Sequence, residues 1–170
     1  MIDQREIDAL SVTLQRFGAV MDKDIKRAAA LGGAYFASTA ESAAPVGTKI
    51  HKRYSTAKVN AAIRAPKGMG NVVATYYPGN LARAIRVLDL KRTKNAVFVG
   101  ARLQKGAYSG VFSGMRADGY YMHMVEGGTK NWSGRPFFIA AFNRSKPRIE
   151  AIMTSELERT VLKFKTENGL

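Results

Sequence analysis

His51 and His123 are the two imidazoles of this 170-residue chain, and they stand seventy-two positions apart. Neither has a carboxylate or a second histidine at metal-ligand spacing, so no zinc site is expected. His123 falls in an alternating stretch that reads as a partly buried strand position, and His51 falls in a basic run that reads as exposed. The absence of cysteine removes disulfides and thiolate metal sites and fits a reducing compartment. Ser113 lies in Gly110-Val111-Phe112-Ser113-Gly114, which lacks the Gly-x-Ser-x-Gly spacing of a nucleophile elbow. Gly68 and Gly70 are followed by Asn71-Val72-Val73 rather than Gly-Lys-Ser/Thr, so no nucleotide phosphate loop is formed. No catalytic residue, metal or cofactor is assigned, and no enzymatic activity is expected.

Glu126 is the one acid of a central strand-and-turn stretch, Tyr120 to Pro136. As a catalytic base it would need a partner group and a pocket, which the sequence does not supply. An ion pair with Arg135 or Lys130 across the Gly127-Gly128 turn is the reading we adopt. Both glycines are expected to hold a turn closed to residues with a β-carbon. Trp132, in a polar turn, is either a core plug or an exposed anchor for a neighbouring subunit.

The formal charge of +14 is unevenly placed. Residues 1–41 hold 5 basic and 6 acidic side chains, 42–117 hold 14 and 1, and 118–170 hold 8 and 6. Asp89 is therefore the one acid of the middle segment, and a block of this kind points to a polyanionic neighbour, nucleic acid or an acidic protein surface. The alternative is a merely solvated face. The residues read as contacting such a partner are Lys49, Lys52, Arg53, Lys58, Arg64 and Lys67.

The elements that must position these groups follow from spacing. Ile7, Leu10, Leu14, Phe17 and Met21 share one helical stripe, and a second helical segment starts near Asp22 and Asp24 and ends at Pro45. Gly32 and Gly33 inside it mark either a kink or a close backbone approach. Ser55 to Ile63 reads as a short helix, Ala65 to Gly70 as a flexible turn, and the whole basic stretch 49–78 as a protruding arm. Asn80 is placed as N-cap of a helical turn at Leu81 to Ala84. Ile85 to Leu90 and Ala96 to Gly100 read as strands joined by a hairpin at Lys91 to Asn95, and the stretch from Tyr120 adds a third strand to an antiparallel core sheet. Residues 102–119 read as a glycine-rich loop.

Phe138, Ala141, Phe142, Ile149, Ile152, Met153, Leu157, Val161 and Phe164 give a long terminal helix starting near Ser145 to Pro147, with Phe137 to Asn143 as a separate lead-in. The fold class is α+β in a single domain over 1–170: a small antiparallel sheet packed against an N-terminal helical region and a long C-terminal helix. Met1 to Asp8 carries acids where a signal peptide would be basic and apolar, so no secretion is expected. The apolar runs fall far short of the ~20 residues that span a bilayer, so no membrane partner is expected either.

Three motifs stand in order: Ala44-Pro45-Val46-Gly47-Thr48, then Gly79-Asn80-Leu81-Ala82-Arg83-Ala84-Ile85, then Tyr121 to Thr129 with Val125-Glu126-Gly127-Gly128-Thr129 leading to Arg135-Pro136-Phe137-Phe138. This order resembles the tail-component (tail-completion, head-tail joining) morphogenesis family of long-tailed bacteriophages. Relative to that pattern, residues 49–78 form an insertion and 102–119 a lengthened connection. The resemblance implies a structural assembly protein of the phage neck or tail top, present in the virion and in host cytoplasm during assembly. Its partners would be further copies in a ring, a hexamer, and other neck and tail proteins. Glu126, Gly127, Gly128, Trp132 and Arg135 would lie at the subunit interface. The alternative is a DNA-binding protein, packaging-associated or nucleoid-like, acting through the basic central segment; in a neck ring that partner would be DNA in the channel.

Overall fold

The structure is a computed structural model that describes residues 4–54, 58–60, 63–64, 72–88, 95–102, 119 and 121–169. The described residues form an α+β fold of four helices and small two-stranded sheets, opened and closed by the longest helices. The chain divides into two compact units.

The first unit comprises Met1–Ala37, Val87–Val99 and Phe142–Leu170. Its helices belong to α1, Gln4–Ala43, and α4, Phe137–Asn168. Phe17 meets Phe164 edge to face with centroids 5.0 Å apart, and Phe36 meets Phe142 in the same way at 5.3 Å. Between them Thr160 donates to Asp24 Oδ2 at 2.9 Å, and Arg27 pairs with Glu156. Rising numbers on one helix meet falling numbers on the other, so the two run antiparallel.

Gly32 and Gly33 decide how closely the partners approach. A β-carbon on Gly32 would stand 3.0 Å from Ile149 Cγ2, and one on Gly33 would stand 3.1 Å from Val97 Cγ2 and 3.3 Å from Val99 Cγ2. The helix is unbroken across both glycines, and these distances fit the close approach of the two alternatives. The expected break near Asp22 is likewise absent, because Ile25, Ala28 and Ala29 carry the apolar face on without a stop signal. Phe36, Ala28 and Phe164 are buried here, while Leu14 of the expected stripe is 60% exposed.

The second unit comprises Ser38–Arg86 and Gly100–Ala141. Pro45, which lacks an N–H and disfavours helix in the residue before it, ends α1 two residues earlier. The basic stretch then folds on itself: β1, His51–Tyr54, pairs antiparallel with β4, Val72–Tyr76, with His51 opposite Tyr76. Inside it, β2, Lys58–Asn60, pairs antiparallel with β3, Ile63–Arg64. The short helix expected over Ser55 to Ile63 is thus replaced by strand pairing; Val59 and Ile63, β-branched residues, favour it. The turn expected over Ala65 to Gly70 lies outside the described residues.

Helix α2, Asn80–Ala84, follows Gly79, whose φ of 74° is left-handed. Asn80 is not the cap the sequence suggested: it is buried, and its Nδ2 lies 3.4 Å from Tyr121 Oη. Strands β5, Ile85–Leu88, and β6, Phe98–Ala101, form one two-stranded sheet, as expected from their apolar content. The hairpin residues 91–94 lie outside the described residues, as do 103–118 of the glycine-rich loop. The ends of that loop are tied, since Gly119 N–H donates to Arg102 O at 3.0 Å and Arg102 N–H donates to Ala84 O at 2.8 Å.

The expected third strand is a helix, α3, Met122–Gly127. Over six residues an alternating pattern also satisfies spacing of four, which puts Tyr121 with Val125 and Met122 with Glu126. Gly128, with φ of 83°, supplies the helical stop that decides between them. His123 is accordingly exposed on α3 rather than partly buried on a strand. The chain then makes a small hairpin of β7, Gly128–Thr129, and β8, Trp132–Ser133, before α4 begins at Phe137. The later start expected for α4, near Pro147, is incorrect. Pro147 sits inside the helix, and the carbonyl it cannot serve is that of Asn143, an exposed residue that water reaches.

Candidate functional site

The second unit holds a cleft of about 830 Å³. Four stretches build it: 45–52 after α1 and along β1, 76–81 from β4 into α2, Tyr121 and Val125 of the α3 turn, and the 132–135 hairpin exit. Tyr76 and Tyr121 pack edge to face at 5.7 Å between centroids, with buried Asn80 and Leu81 beside them. Tyr76, Tyr121 and Leu81 supply apolar surface to the cleft, and Asn80 is its buried polar member.

The charged lining is of one sign. Lys49, Lys52 and Arg135 line the cleft together with His51, and no carboxylate is among the described residues that line it. Lys49, His51, Lys52 and Arg135 are all exposed. Such a concentration of cations with low-dielectric walls focuses a positive potential into the opening. Two aromatic rings reach solvent at the same place: Tyr77 is 46% and Trp132 42% exposed. Trp132 is therefore not a core plug.

The segment carrying Trp132 and Arg135 is fixed by a joint between α3 and α4. Glu126 Oε1 accepts from Ile139 N–H at 2.9 Å and Oε2 accepts from Phe138 N–H at 3.0 Å. These are first-turn amides of α4, which have no acceptor within their own helix, and a negative charge there also opposes the helix dipole. The expected ion pair of Glu126 with Arg135 or Lys130 is replaced by this cap, because both carboxylate oxygens are directed at the backbone. Arg135 instead donates its backbone N–H to Val125 O at 2.7 Å, leaving its side chain to the cleft.

The two glycines expected to close the turn have different roles. A β-carbon on Gly128 would stand 2.5 Å from Gly134 N and 2.6 Å from Trp132 O, on a backbone already left-handed. Gly127 is the last helical residue and has open space around it, so it is not closed to larger residues. Gly134 is the true counterpart, since a β-carbon there would strike Glu126 O and stand 2.5 Å from Gly128 N.

The structure thus brings together residues that the sequence had assigned to separate roles. Lys49 and Lys52 of the basic arm share one opening with Trp132 and Arg135 of the turn. Arg53 pairs through its backbone with Ala74, and Lys58 stands opposite Arg64 in the β2–β3 ladder. Lys67 lies outside the described residues. Sequence reading did not assign Tyr76, Tyr77 and Tyr121 to a site; the doublet Tyr76-Tyr77 before Pro78, within a basic stretch, was the available signal.

A second cavity, of about 490 Å³, lies in the first unit among Lys23, Asp24, Arg27, Glu156, Arg159, Lys163 and Glu167. Its charges are of both signs: Arg27 pairs with Glu156 across the α1–α4 contact, and Arg27–Asp24 and Lys163–Glu167 pair within their own helices. Among the described residues no group of three His, Cys, Asp or Glu could hold a metal ion, and no helix is long and apolar enough to cross a membrane. Comparison of the chain with known protein families, curated proteins and solved structures finds no match.

Proposed function

We propose that the chain is a phage structural protein of the neck or tail top, which assembles as a ring, completes the tail and joins it to the head without catalysis. The observation that carries this reading is the joint between α3 and α4. The motif Val125-Glu126-Gly127-Gly128-Thr129 followed by Arg135-Pro136-Phe137-Phe138 is one coupled unit, in which Glu126 caps α4 and Gly128 and Gly134 pass each other too closely for side chains. A motif spent on fixing a hairpin that presents an exposed tryptophan suits an interaction surface better than a reaction centre. Further support comes from the apolar stripes: Leu14 and Phe142 are exposed, and Ile149, Ile152, Met153, Leu157 and Val161 are only half-buried. Apolar surface of this kind is what a neighbouring subunit would cover. In a ring the interface is heterologous, so two different faces of the same protomer are used.

Native mass measurement tests the proposal. A discrete closed oligomer, seen as a ring by electron microscopy, is the expected result. A monomer at every concentration, which also fails to join purified heads and tails, overturns it.

A second reading is favoured by the cleft. A one-signed cationic opening at the root of the basic arm suits a DNA-binding protein acting through the central segment. Its signature would be affinity falling steeply with salt.

A further inference from the structure

The cleft differs from a bare cationic patch in what stands beside its charges. Phosphate attraction alone needs lysine and arginine, and an acidic peptide needs little more. Here Tyr77 and Trp132 add two aromatic side chains, each a little under half exposed. They stand in one opening with Lys49, Lys52 and Arg135.

We propose that this cleft binds single-stranded nucleic acid, with bases stacked on Trp132 and Tyr77 and the phosphates neutralised by Lys49, Lys52 and Arg135. The inference rests on the DNA-binding reading above and narrows it. In a duplex the base faces are already stacked on one another, and only edges and backbone are offered to a protein. An exposed aromatic side chain finds a partner in an unpaired base, whatever its sequence, because every base has a π face. The volume of about 830 Å³ lies within the roughly 300–1,000 Å³ that accommodates a drug-sized ligand, room for a nucleotide unit or two rather than a duplex.

The architecture keeps these groups in register. Trp132 lies opposite Thr129 in the β7–β8 hairpin, at whose base Gly128 and Gly134 approach too closely for a side chain on either. Lys52 lies opposite Thr75 in the β1–β4 ladder, one residue from the His51–Tyr76 pair whose tyrosine packs on Tyr121. Trp132 and Lys52 thus stand on two paired-strand elements, with Lys49, Tyr77 and Arg135 within two residues of a strand end. Sequence preference is expected to be slight, since the cations and rings that line the opening meet phosphates and ring faces, which every nucleotide carries.

Trp132 is the sole tryptophan of the chain, so its fluorescence reports directly on the site. Titration of the full chain with oligo-deoxythymidine is expected to quench that emission, with log affinity falling against log salt at about −0.7 for each phosphate neutralised. Trp132→Ala should weaken binding of a labelled oligomer by about 5- to 150-fold, from the stacking of one base. Trp132→Phe should retain most of it, which separates loss of the ring from loss of the hairpin. Lys49→Ala with Lys52→Ala should flatten the salt slope by about 1.4, two phosphates' worth. If a duplex of the same length binds as tightly and leaves the tryptophan unquenched, the stacking proposal falls while the DNA-binding reading stands. If poly-glutamate quenches Trp132 and neither nucleic acid binds, both fall and the partner is an acidic protein.

Discussion

Glu126 caps a helix that begins eleven residues beyond it: its carboxylate lies 2.9 Å from the Ile139 amide and 3.0 Å from that of Phe138. The cap is what allows α4 to start directly after Pro136, and it ties the far side of the Trp132 hairpin to α3.

Removing that cap should loosen both helices at once. Glu126→Ala is expected to cost about 1–2 kcal/mol in denaturant unfolding, the range for a helix cap and for a charged hydrogen bond that is partly exposed. Glu126→Gln keeps one acceptor oxygen and should lose less. An unchanged midpoint for Glu126→Ala would show that the amides are served equally well by water.

Neighbouring glycines should respond in opposite directions. Gly128→Ala meets both a left-handed backbone and a β-carbon clash, so a loss of at least ~1–3 kcal/mol is expected. Gly127→Ala, on a helical backbone with open space, should be neutral or raise stability by up to ~1 kcal/mol. Thermal unfolding of the two variants side by side distinguishes them, and equal destabilisation would overturn the turn geometry.

Close approach of α1 and α4 depends on Gly32. Gly32→Ala asks Ile149 to give by a few tenths of an ångström and regains helix propensity, so little net change is expected. Gly32→Val adds volume where Ile149 and Met153 already stand, and should cost about 1–3 kcal/mol. Denaturant titration of both checks this; a tolerated valine would mean that the helices can part there.

Thr160, 6% exposed, donates to Asp24 across the same contact, with Glu156 O at 3.1 Å as its alternative acceptor. Thr160→Val keeps the shape and removes the donor, so about 1–2 kcal/mol should be lost. Thr160→Ser should retain most of the stability. If the valine variant matches the parent in unfolding free energy, the hydrogen bond contributes nothing net.

The sequence made the helices legible where their pattern ran long. The α4 stripe and the Pro45 stop were readable because many turns repeat one spacing and proline has a single local meaning. Tyr121 to Glu126 was misread because six residues cannot separate a period of two from a spacing of four, and the deciding stop, Gly128, lies after the pattern. Pro147 was given the start of α4 on local grounds, whereas the start is set by a carboxylate from another element. The cleft could not be read at all as a unit. Its cations and rings come from stretches up to about eighty-five positions apart, and only the β1–β4 pairing and the α3 turn bring them to one opening; that tertiary overrides local pattern is the general reason.

The antiparallel seating of α1 against α4 also sets the order of events during synthesis. Phe17 leaves the ribosome long before Phe164, its ring partner, and at about 5–20 residues per second the delay over roughly 150 residues is about 7–30 s. For that interval α1 must survive as a nascent amphipathic segment, its apolar stripe uncovered by its eventual mate. Translation speed across the last third of the message, and chaperones that hold such stripes, should therefore govern the yield of folded chain more than codon changes near its start.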